Sequence, residues 1–163
     1  MRSEEADKRL DRAVELTKEL AAAFPTVPQY QALRARALQR YGASLQAPGH
    51  ADAEPPLREA VALHRSLVAQ FPSVPVYQLY LSEACQSLSL NRQRNGDLTE
   101  TCELLTEAVE AQQRYLKATP ANRFGWFTLS HQYQTLADTL RRQGEPEKAA
   151  AASRKADEAR KGR

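Results

Sequence analysis

The apolar positions of this chain recur at helical spacing along most of its length. Between Pro120 and Gly144, apolar and small residues follow the i, i+3, i+4, i+7 pattern that places side chains on one face of an α-helix. The members of this stripe are Trp126, Leu129, Ser130, Tyr133, Leu136, Ala137 and Leu140. Shorter stripes comprise Ala60, Leu63, Leu67 and Phe71, and then Leu104, Ala108, Ala111, Tyr115 and Ala118. No stretch alternates apolar and polar residues for long, so the pattern predicts an all-α protein.

Start and stop signals divide this pattern into seven predicted helices. Their ranges are 3–23, 27–45, 56–70, 74–94, 98–118, 121–143 and 146–161. The segment 46–56, QAPGHADAEPP, is predicted to be a loop, because its prolines prevent a helix from continuing.

Three kinds of residue define the predicted helix ends. Two residue pairs have the spacing of a capping box, in which side chains satisfy free backbone N–H groups. These pairs are Thr26 with Gln29 and Asp97 with Glu100. Three prolines are predicted in first turns, where a missing donor costs nothing. They are Pro28, Pro75 and Pro120. Gly96 and Gly144 are predicted to close helices in the left-handed conformation.

The sequence repeats itself with a period of 47 or 48 residues. FPTVPQY, which begins at Phe24, recurs as FPSVPVY from Phe71, and a weaker copy, TPANRFGW, begins at Thr119. An Ala-Val pair precedes each copy and a glycine follows it at a constant distance. The pairs begin at Ala13, Ala60 and Ala108, and the glycines are Gly49, Gly96 and Gly144. Three independent markers that share one period indicate a repeat protein with two helices in each unit.

The motif Trp126-x2-Leu129-Ser130-x2-Tyr133 resembles the first-helix signature of the tetratricopeptide repeat, W-x2-L-G-x2-Y, with Ser at the small position. The period is longer than the family's usual value of about 34 residues. Two extra turns in each helix would explain this without changing the packing faces. The string LAAAFPTVPQY, from Leu20 to Tyr30, resembles a long-period bacterial variety of the family. That variety is associated with the C-terminal halves of Ser/Thr protein kinases of planctomycete-like bacteria.

The resemblance implies an α-solenoid of antiparallel helical hairpins that binds a protein or peptide. We expect a single domain, with repeat units at roughly 3–25, 26–72, 73–120 and 121–161. The first unit lacks a first helix, and Pro55-Pro56 stand where a second helix should begin, so we expect part of a longer protein. The predicted function is a scaffold in a bacterial signalling protein. The alternatives are the non-catalytic region of a Ser/Thr kinase and a nucleic-acid-binding helical array.

Candidate binding residues follow from the geometry of stacked hairpins, whose first helices line a concave surface. The residues opposite the Trp126 stripe, with their equivalents one and two periods earlier, include Arg36, Gln39, Leu79, Glu83, Gln86, Phe124, Phe127, His131 and Gln134. Phe124, Phe127 and Leu79 would form an apolar patch of the kind that marks interaction sites. In the alternative interpretation, the two phenylalanines cover the end of the neighbouring helix. The Lys and Asn pattern with which the family binds a C-terminal carboxylate is absent from these positions.

Composition and charge change this picture little. Ala and Leu dominate, together with Glu, Arg, Lys and Gln, all of which favour helices. The net charge is +3, and much of the excess is near the C-terminus. These residues are Arg154, Lys155, Arg160, Lys161 and Arg163. They are typical of a solvated last helix whose cations oppose its dipole. Basic residues clustered with aromatics, which would indicate nucleic-acid binding, are not evident in the sequence.

Nothing in the sequence indicates catalytic, metal or cofactor chemistry. His50, His64 and His131 lie on different predicted segments, and the sequence places no acidic partner beside any of them. His64 lies near a packing stripe and is predicted to be a partly buried structural residue. There is no nucleophile motif, phosphate-binding loop or kinase signature. We therefore expect no enzymatic activity, no bound metal and no cofactor.

The cysteines and the N-terminus suggest a cytoplasmic protein. Cys85 and Cys102 resemble small buried apolar residues of a reducing compartment, and their spacing suggests neither a disulfide framework nor a metal site. The charged N-terminus lacks the apolar core of a signal peptide, and no apolar run approaches the length of a membrane span.

The first predicted helix, 3–23, has an apolar stripe for which the chain offers only one neighbour. The stripe consists of Ala6, Leu10, Ala13, Leu16 and Leu20. One side should pack on helix 27–45, whereas Leu10, Val14 and Leu16 make the other side apolar where solenoid ends are normally polar. We expect either a homo-oligomer formed through this helix or docking against the preceding part of the native protein.

Overall fold

A computed structural model describes residues 4–46 and 53–162, with side chains described from residue 8 onward in these ranges. Within them the chain forms seven α-helices and no strand, so the all-α prediction is confirmed. The helices are α1 (Glu4–Ala23), α2 (Pro28–Leu45), α3 (Glu54–Gln70), α4 (Pro75–Arg94), α5 (Leu98–Ala118), α6 (Arg123–Arg142) and α7 (Pro146–Arg160). Residue 3, residues 47–52 with Gly49 and His50, and Arg163 lie outside the described residues, as does the side chain of Ala6.

The three copies of the proline-containing motif fold into the same turn. In each copy a backbone N–H donates to the carbonyl three residues earlier. These bonds join Val27 to Phe24 at 3.1 Å, Val74 to Phe71 at 3.1 Å and Asn122 to Thr119 at 3.0 Å. In two copies an aromatic pair also packs edge to face, with ring centroids 5.6 Å apart for Phe24 and Tyr30 and 6.1 Å apart for Phe71 and Tyr77. The repeat seen in the sequence is therefore also present in the local structure.

Helix α2 begins too late for the capping box predicted at Thr26. Its N-cap is Val27, which makes no side-chain cap bond, and Pro28 lies in the first turn as predicted. The Thr26–Gln29 capping box is therefore wrong, because Thr26 belongs to the preceding turn and is exposed. Helix α4 begins with Pro75, as predicted.

Helix α6 begins at Arg123, so the prediction of Pro120 in a first turn is also wrong. The N-cap is Asn122, whose side chain accepts the N–H of Gly125 at 2.8 Å. Pro120 is the repeat equivalent of Pro72, which lies in the turn before a helix. The repeat position, rather than the proline itself, determines where the helix starts.

Helix α3 begins at Glu54, which is earlier than predicted. Pro55 and Pro56 lie in its first turn and not in a loop. The first N–H groups of a helix have no intrahelical acceptor, so prolines at these positions remove no helical hydrogen bond.

Both predicted glycine stops are confirmed, and so is the predicted side-chain cap at Asp97. Gly96 and Gly144 have φ angles of 82° and 81°. In both cases the following residue donates its N–H to a carbonyl five residues earlier, which is typical of the Schellman motif. These bonds join Asp97 to Arg92 at 3.0 Å and Glu145 to Leu140 at 2.9 Å. The Asp97 side chain caps α5 by accepting the N–H of Glu100 at 2.9 Å.

The chain divides into two compact units, Met1–Tyr80 and Leu81–Arg163, and the division falls within α4. In the first unit, α2 packs against α1 and α3. Its described core includes Ala32, Leu67 and Tyr77, with Val68, Phe71, Val74, Val76 and Tyr80 packed around them. In the second unit, α6 packs against α5 and α7. The core there includes Leu105, Val109, Leu116, Leu129, Tyr133, Leu136, Ala137, Ala152, Ala156 and Ala159.

Small residues allow close contact between the helices of two successive hairpins. Ser130 Oγ donates to the carbonyl of Ala156 at 2.8 Å, which joins α6 to α7. One period earlier, Ser82 Oγ donates to the carbonyl of Ala108 at 2.9 Å, which joins α4 to α5. A larger side chain at either serine would push the helices apart. The same interhelical bond therefore recurs with the period of the sequence.

Most positions of the predicted α6 stripe face the core, and the exceptions lie at helix ends. Leu129, Ser130, Tyr133, Leu136 and Ala137 are buried. Ala118, predicted to continue the α5 stripe, is exposed because α5 ends at that residue.

Among the described helices, none has a segment both apolar enough and long enough to cross a membrane.

Candidate functional site

One side of α6 presents two exposed aromatic rings. Phe124 is 77% exposed and Phe127 is 66% exposed. His131 and Gln134 are also exposed, at a spacing that puts them on the same side of the helix. We call these four residues the aromatic face of α6. Their exposure within the described part of the second unit argues against the alternative in which the phenylalanines cover a neighbouring helix end.

Close packing on the opposite side of α6 holds this face in place. Leu129 and Tyr133 are buried in the core of the second unit. A Cβ atom added at Gly125 would lie 2.8 Å from Leu116 Cδ2, so a larger residue there would require the buried Leu116 side chain to shift. The fully buried Gln112 donates from Nε2 to the carbonyl of Gly125 at 3.0 Å. The first turn of α6 is therefore fixed against α5.

Trp126 is partly buried and packs against the core of the second unit. Its indole Nε1 donates to the carbonyl of Pro120 at 2.9 Å. Ala159 of α7 lines the space beside the ring, and its side chain is too small to cover an indole. An open groove remains beside the ring.

This groove lies between α5, α6 and α7 and has a volume of about 360 Å³. Its apolar wall consists of Leu116, Pro120, Trp126, Leu129, Tyr133 and Ala159, and Lys117, Lys155 and Glu158 stand among its polar lining residues. We call it the Trp126 groove. Lys155 Nζ lies 5.7 Å from the centroid of the Tyr133 ring, within the range of a cation–π contact. Burial, with Glu158 and Glu110 nearby, raises the pKa of Tyr133, so its phenol stays neutral at pH 7.

A second pocket of about 360 Å³ shares Trp126 with the groove. Its other lining residues are Arg123, Phe127, Arg160, Lys161 and Gly162. The two pockets together carry five cations, Lys117, Arg123, Lys155, Arg160 and Lys161. None of the five forms an ion pair with a residue that the structure describes. Tertiary packing thus creates a basic and aromatic surface that the sequence pattern does not reveal.

The remaining predicted site residues of the second unit are partly engaged with their neighbours. Glu83 is exposed on α4. Gln86 Oε1 accepts a hydrogen bond from Nε2 of the fully buried Gln132 at 3.2 Å, and the same nitrogen donates to Ser82 Oγ at 2.8 Å. Gln134 Nε2 donates to Asp138 Oδ1 at 3.3 Å. Gln86 therefore belongs to a polar network between α4 and α6.

Three predicted site residues belong to the first unit. The Arg36 guanidinium lies 4.6 Å from the centroid of the Tyr80 ring, which is a cation–π contact. Gln39 and Leu79 are partly buried. Leu79 belongs to the first unit, whereas Phe124 and Phe127 belong to the second. The apolar patch that these three residues were expected to form therefore stays a prediction.

His64, in the same unit, is fully buried, whereas the sequence predicts a partly buried residue. Its ring centroid is 5.7 Å from that of Tyr80, and neither ring nitrogen has a hydrogen-bond partner among the described residues. Burial, assisted by the positive charge of Arg36, lowers the pKa of His64 from 6.5 to about 4. The imidazole is therefore neutral at physiological pH.

Neither cysteine forms a disulfide, and the two lie in different surroundings. Cys85 is fully buried, as predicted. Cys102 is only partly buried, and its Sγ donates to Gln143 Oε1 at 3.2 Å. Burial raises the pKa of the Cys102 thiol, although Lys148 acts in the opposite direction, and so the thiol form predominates at neutral pH.

Comparison with known proteins adds no family assignment. No protein-family model matches the chain, and no curated protein matches it.

Proposed function

We propose that this chain is a non-enzymatic protein-binding scaffold, built as a tetratricopeptide-like α-solenoid of helical hairpins. The repeated turn and the repeated serine-to-carbonyl bond between hairpin helices support this architecture. Each hairpin of such an array buries its apolar face on its neighbours, which leaves outer helix faces free for partners.

The observation that carries the binding function is the exposure of Phe124 and Phe127. Large aromatic side chains dominate the energetics of protein interfaces, because each buries a large area at a low cost in conformational entropy. Two such rings one turn apart on a rigid helix form an anchor for a partner chain. A scaffold that binds through the aromatic face of α6 accounts for this arrangement.

The resemblance of the repeat to the long-period bacterial variety supports a setting for this scaffold. We infer that the chain is the scaffolding part of a cytoplasmic signalling protein. The alternative setting is the non-catalytic region of a Ser/Thr kinase. Two cysteines that form no disulfide suit a reducing compartment.

A peptide-display selection tests the binding function. Random peptides on phage are selected against the wild-type chain and then measured against a Phe124→Ser, Phe127→Ser variant. Removing both anchors should weaken the enriched peptides by about tenfold or more, since truncating an anchor residue costs about 2 kcal/mol or more. The variant should keep the wild-type thermal midpoint, because both rings are exposed.

The matched control is Leu33→Ser, which removes a side chain that is 46% exposed in the first unit. This variant should bind the selected peptides as the wild type does. The proposal fails if no peptide is enriched over bare support, or if the enriched peptides bind the double variant and the wild type equally well.

A further inference from the structure

The Trp126 groove combines an apolar wall with a basic rim. Its volume of about 360 Å³ falls within the range of about 300–1,000 Å³ that is typical of ligand pockets. Leu116 and Leu129 are almost fully buried, so they form a fixed floor. Trp126 is partly exposed beside them and offers an aromatic wall. This environment suits one large apolar side chain.

The charged residues around the groove indicate which groups of the ligand should flank its apolar side chain. The five unpaired cations of the two pockets face a single carboxylate in the lining, that of Glu158. Unpaired exposed cations attract a negatively charged partner and accelerate its association, since complementary charges steer encounter. The groove is therefore complementary to a chain with several carboxylates around one apolar residue.

We propose that the Trp126 groove binds an acidic peptide segment by accepting one large apolar side chain between Trp126 and Leu129, while Lys117 and Lys155 pair with flanking carboxylates. The inference rests on the proposed scaffold function but concerns a groove whose own lining includes no residue of the aromatic face of α6. It names the chemical class of one partner segment.

An acidic peptide fits the groove better than a nucleic acid does. Single-stranded nucleic acids bind where bases stack on aromatic platforms along a basic channel. The groove offers one partly exposed ring, that of Trp126, beside an aliphatic floor of Leu116 and Leu129, and this suits a single apolar side chain better than a row of stacked bases. The same cations make nucleic-acid binding the natural competing outcome, and the experiment includes it.

Trp126 is the only tryptophan of the chain, so its fluorescence reports on the groove directly. The probe is a short synthetic peptide of Asp and Glu with one central Phe, titrated into the full chain. We expect a saturable change in Trp126 emission and an affinity that falls as salt rises. A peptide of equal charge with Ser in place of Phe should bind about tenfold more weakly, because it lacks the anchor.

Charge reversal separates groove binding from general attraction. Lys117→Glu with Lys155→Glu should weaken the Phe peptide by about tenfold or more, whereas Arg154→Glu, an exposed neighbour on α7 that does not line the groove, should change it by less than about threefold. The thermal midpoint of each variant verifies that it folds. If the variant with both lysines changed to Glu does not fold, Lys117→Gln with Lys155→Gln replaces it.

Each outcome decides the inference. It is overturned if the Phe peptide does not bind, if the Ser peptide binds equally well, or if Arg154→Glu acts like the groove variants. It is also overturned if a fluorescein-labelled single-stranded oligonucleotide binds with the same lysine dependence while the peptide does not. If the displayed peptides still require Phe124 and Phe127 in any of these cases, the scaffold function stands and only this groove assignment fails.

Discussion

Two buried polar side chains occupy the same repeat position in successive units. His64 on α3 and Gln112 on α5 are one period apart, and both are fully buried. Gln112 donates a hydrogen bond to a carbonyl of the next helix, whereas both nitrogens of His64 lack a partner among the described residues. A buried polar group without a hydrogen bond destabilises the folded state. Protonation of His64 would place an unpaired charge at this buried site, so it should lower the stability of the folded state.

We expect the stability contributed by neutral His64 to fall in acid. Above pH 6.5 the imidazole is neutral in both folded and unfolded chains, so its effect on stability is constant. As pH falls from 6.5 to about 4 the unfolded chain binds a proton that the folded chain excludes, because burial and Arg36 disfavour the cation beside Tyr80. The free energy of unfolding should drop by about 3 kcal/mol over this range.

The matched variant is His64→Gln, since glutamine already occupies the equivalent position of the next unit. Urea unfolding of both proteins at several pH values gives the difference in their free energies of unfolding, in which other titrating groups cancel. This difference should change steeply between pH 6.5 and 4 in favour of the variant. A difference that is independent of pH would show that His64 protonation does not affect stability.

At the scale of the helix, side-chain capping differs among helices that occupy equivalent repeat positions. Helices α2 and α6 both follow the repeated turn, but α2 has an apolar N-cap and α6 has Asn122. Asn122 Oδ1 accepts the N–H of Gly125 at 2.8 Å, and its Nδ2 donates to the hydroxyl of Tyr115 at 2.9 Å. The cap of α6 therefore also links it to α5.

Asn122→Ala should lower the free energy of unfolding by about 1–2 kcal/mol, because it removes the cap bond and the bond to Tyr115. Thr26→Ala, in the equivalent turn before α2, should change stability by less than about 0.5 kcal/mol, since Thr26 is exposed and makes no cap bond. Thermal or urea unfolding measures both. Equal losses from the two substitutions would contradict the assignment of the caps.

At the scale of the whole molecule, α1 leaves apolar side chains accessible. Leu16 is 46% exposed, and Leu10 and Val14 are only partly buried, while Thr17 and Ala21 are the buried residues of this helix among those described. The predicted stripe therefore does not coincide with the buried side of α1, since Leu16 was expected to lie within it. Burial of apolar area is worth about 25 cal/mol per Å², so this surface favours association.

We expect the chain to self-associate through α1 at micromolar concentrations. Sedimentation should show a dimer or larger species for the wild type and a monomer for a Leu10→Glu, Val14→Glu variant, because buried carboxylates oppose the contact. Leu16→Glu should also shift the chain towards the monomer, and it should disturb folding less because Leu16 is exposed. Leu33→Glu, at a position of equal exposure on α2, should leave the association unchanged. A strictly monomeric wild type would refute self-association through α1.

The sequence by itself determined the features that depend on local interactions. The periodicity of apolar residues predicted the helices, and Asp97, Gly96 and Gly144 marked ends that the structure confirms, because a cap or a left-handed glycine acts within one turn. The predictions at Thr26 and Pro120 were wrong because a shift of one to three residues in the start of a helix moves a residue out of the cap or the first turn. For Phe124 and Phe127 the sequence left two interpretations open, an exposed patch and the cover of a helix end, and the structure shows both rings exposed.

Only the tertiary structure decided what depends on helices that are distant in sequence. The open groove beside Trp126 is lined on α7 by the small side chain of Ala159, and the burial of His64 follows from its contact with α4. Lys117 and Lys155 meet at one groove because α5 and α7 both pack against α6. No local pattern encodes such a meeting, because which side chains approach each other depends on how whole helices pack.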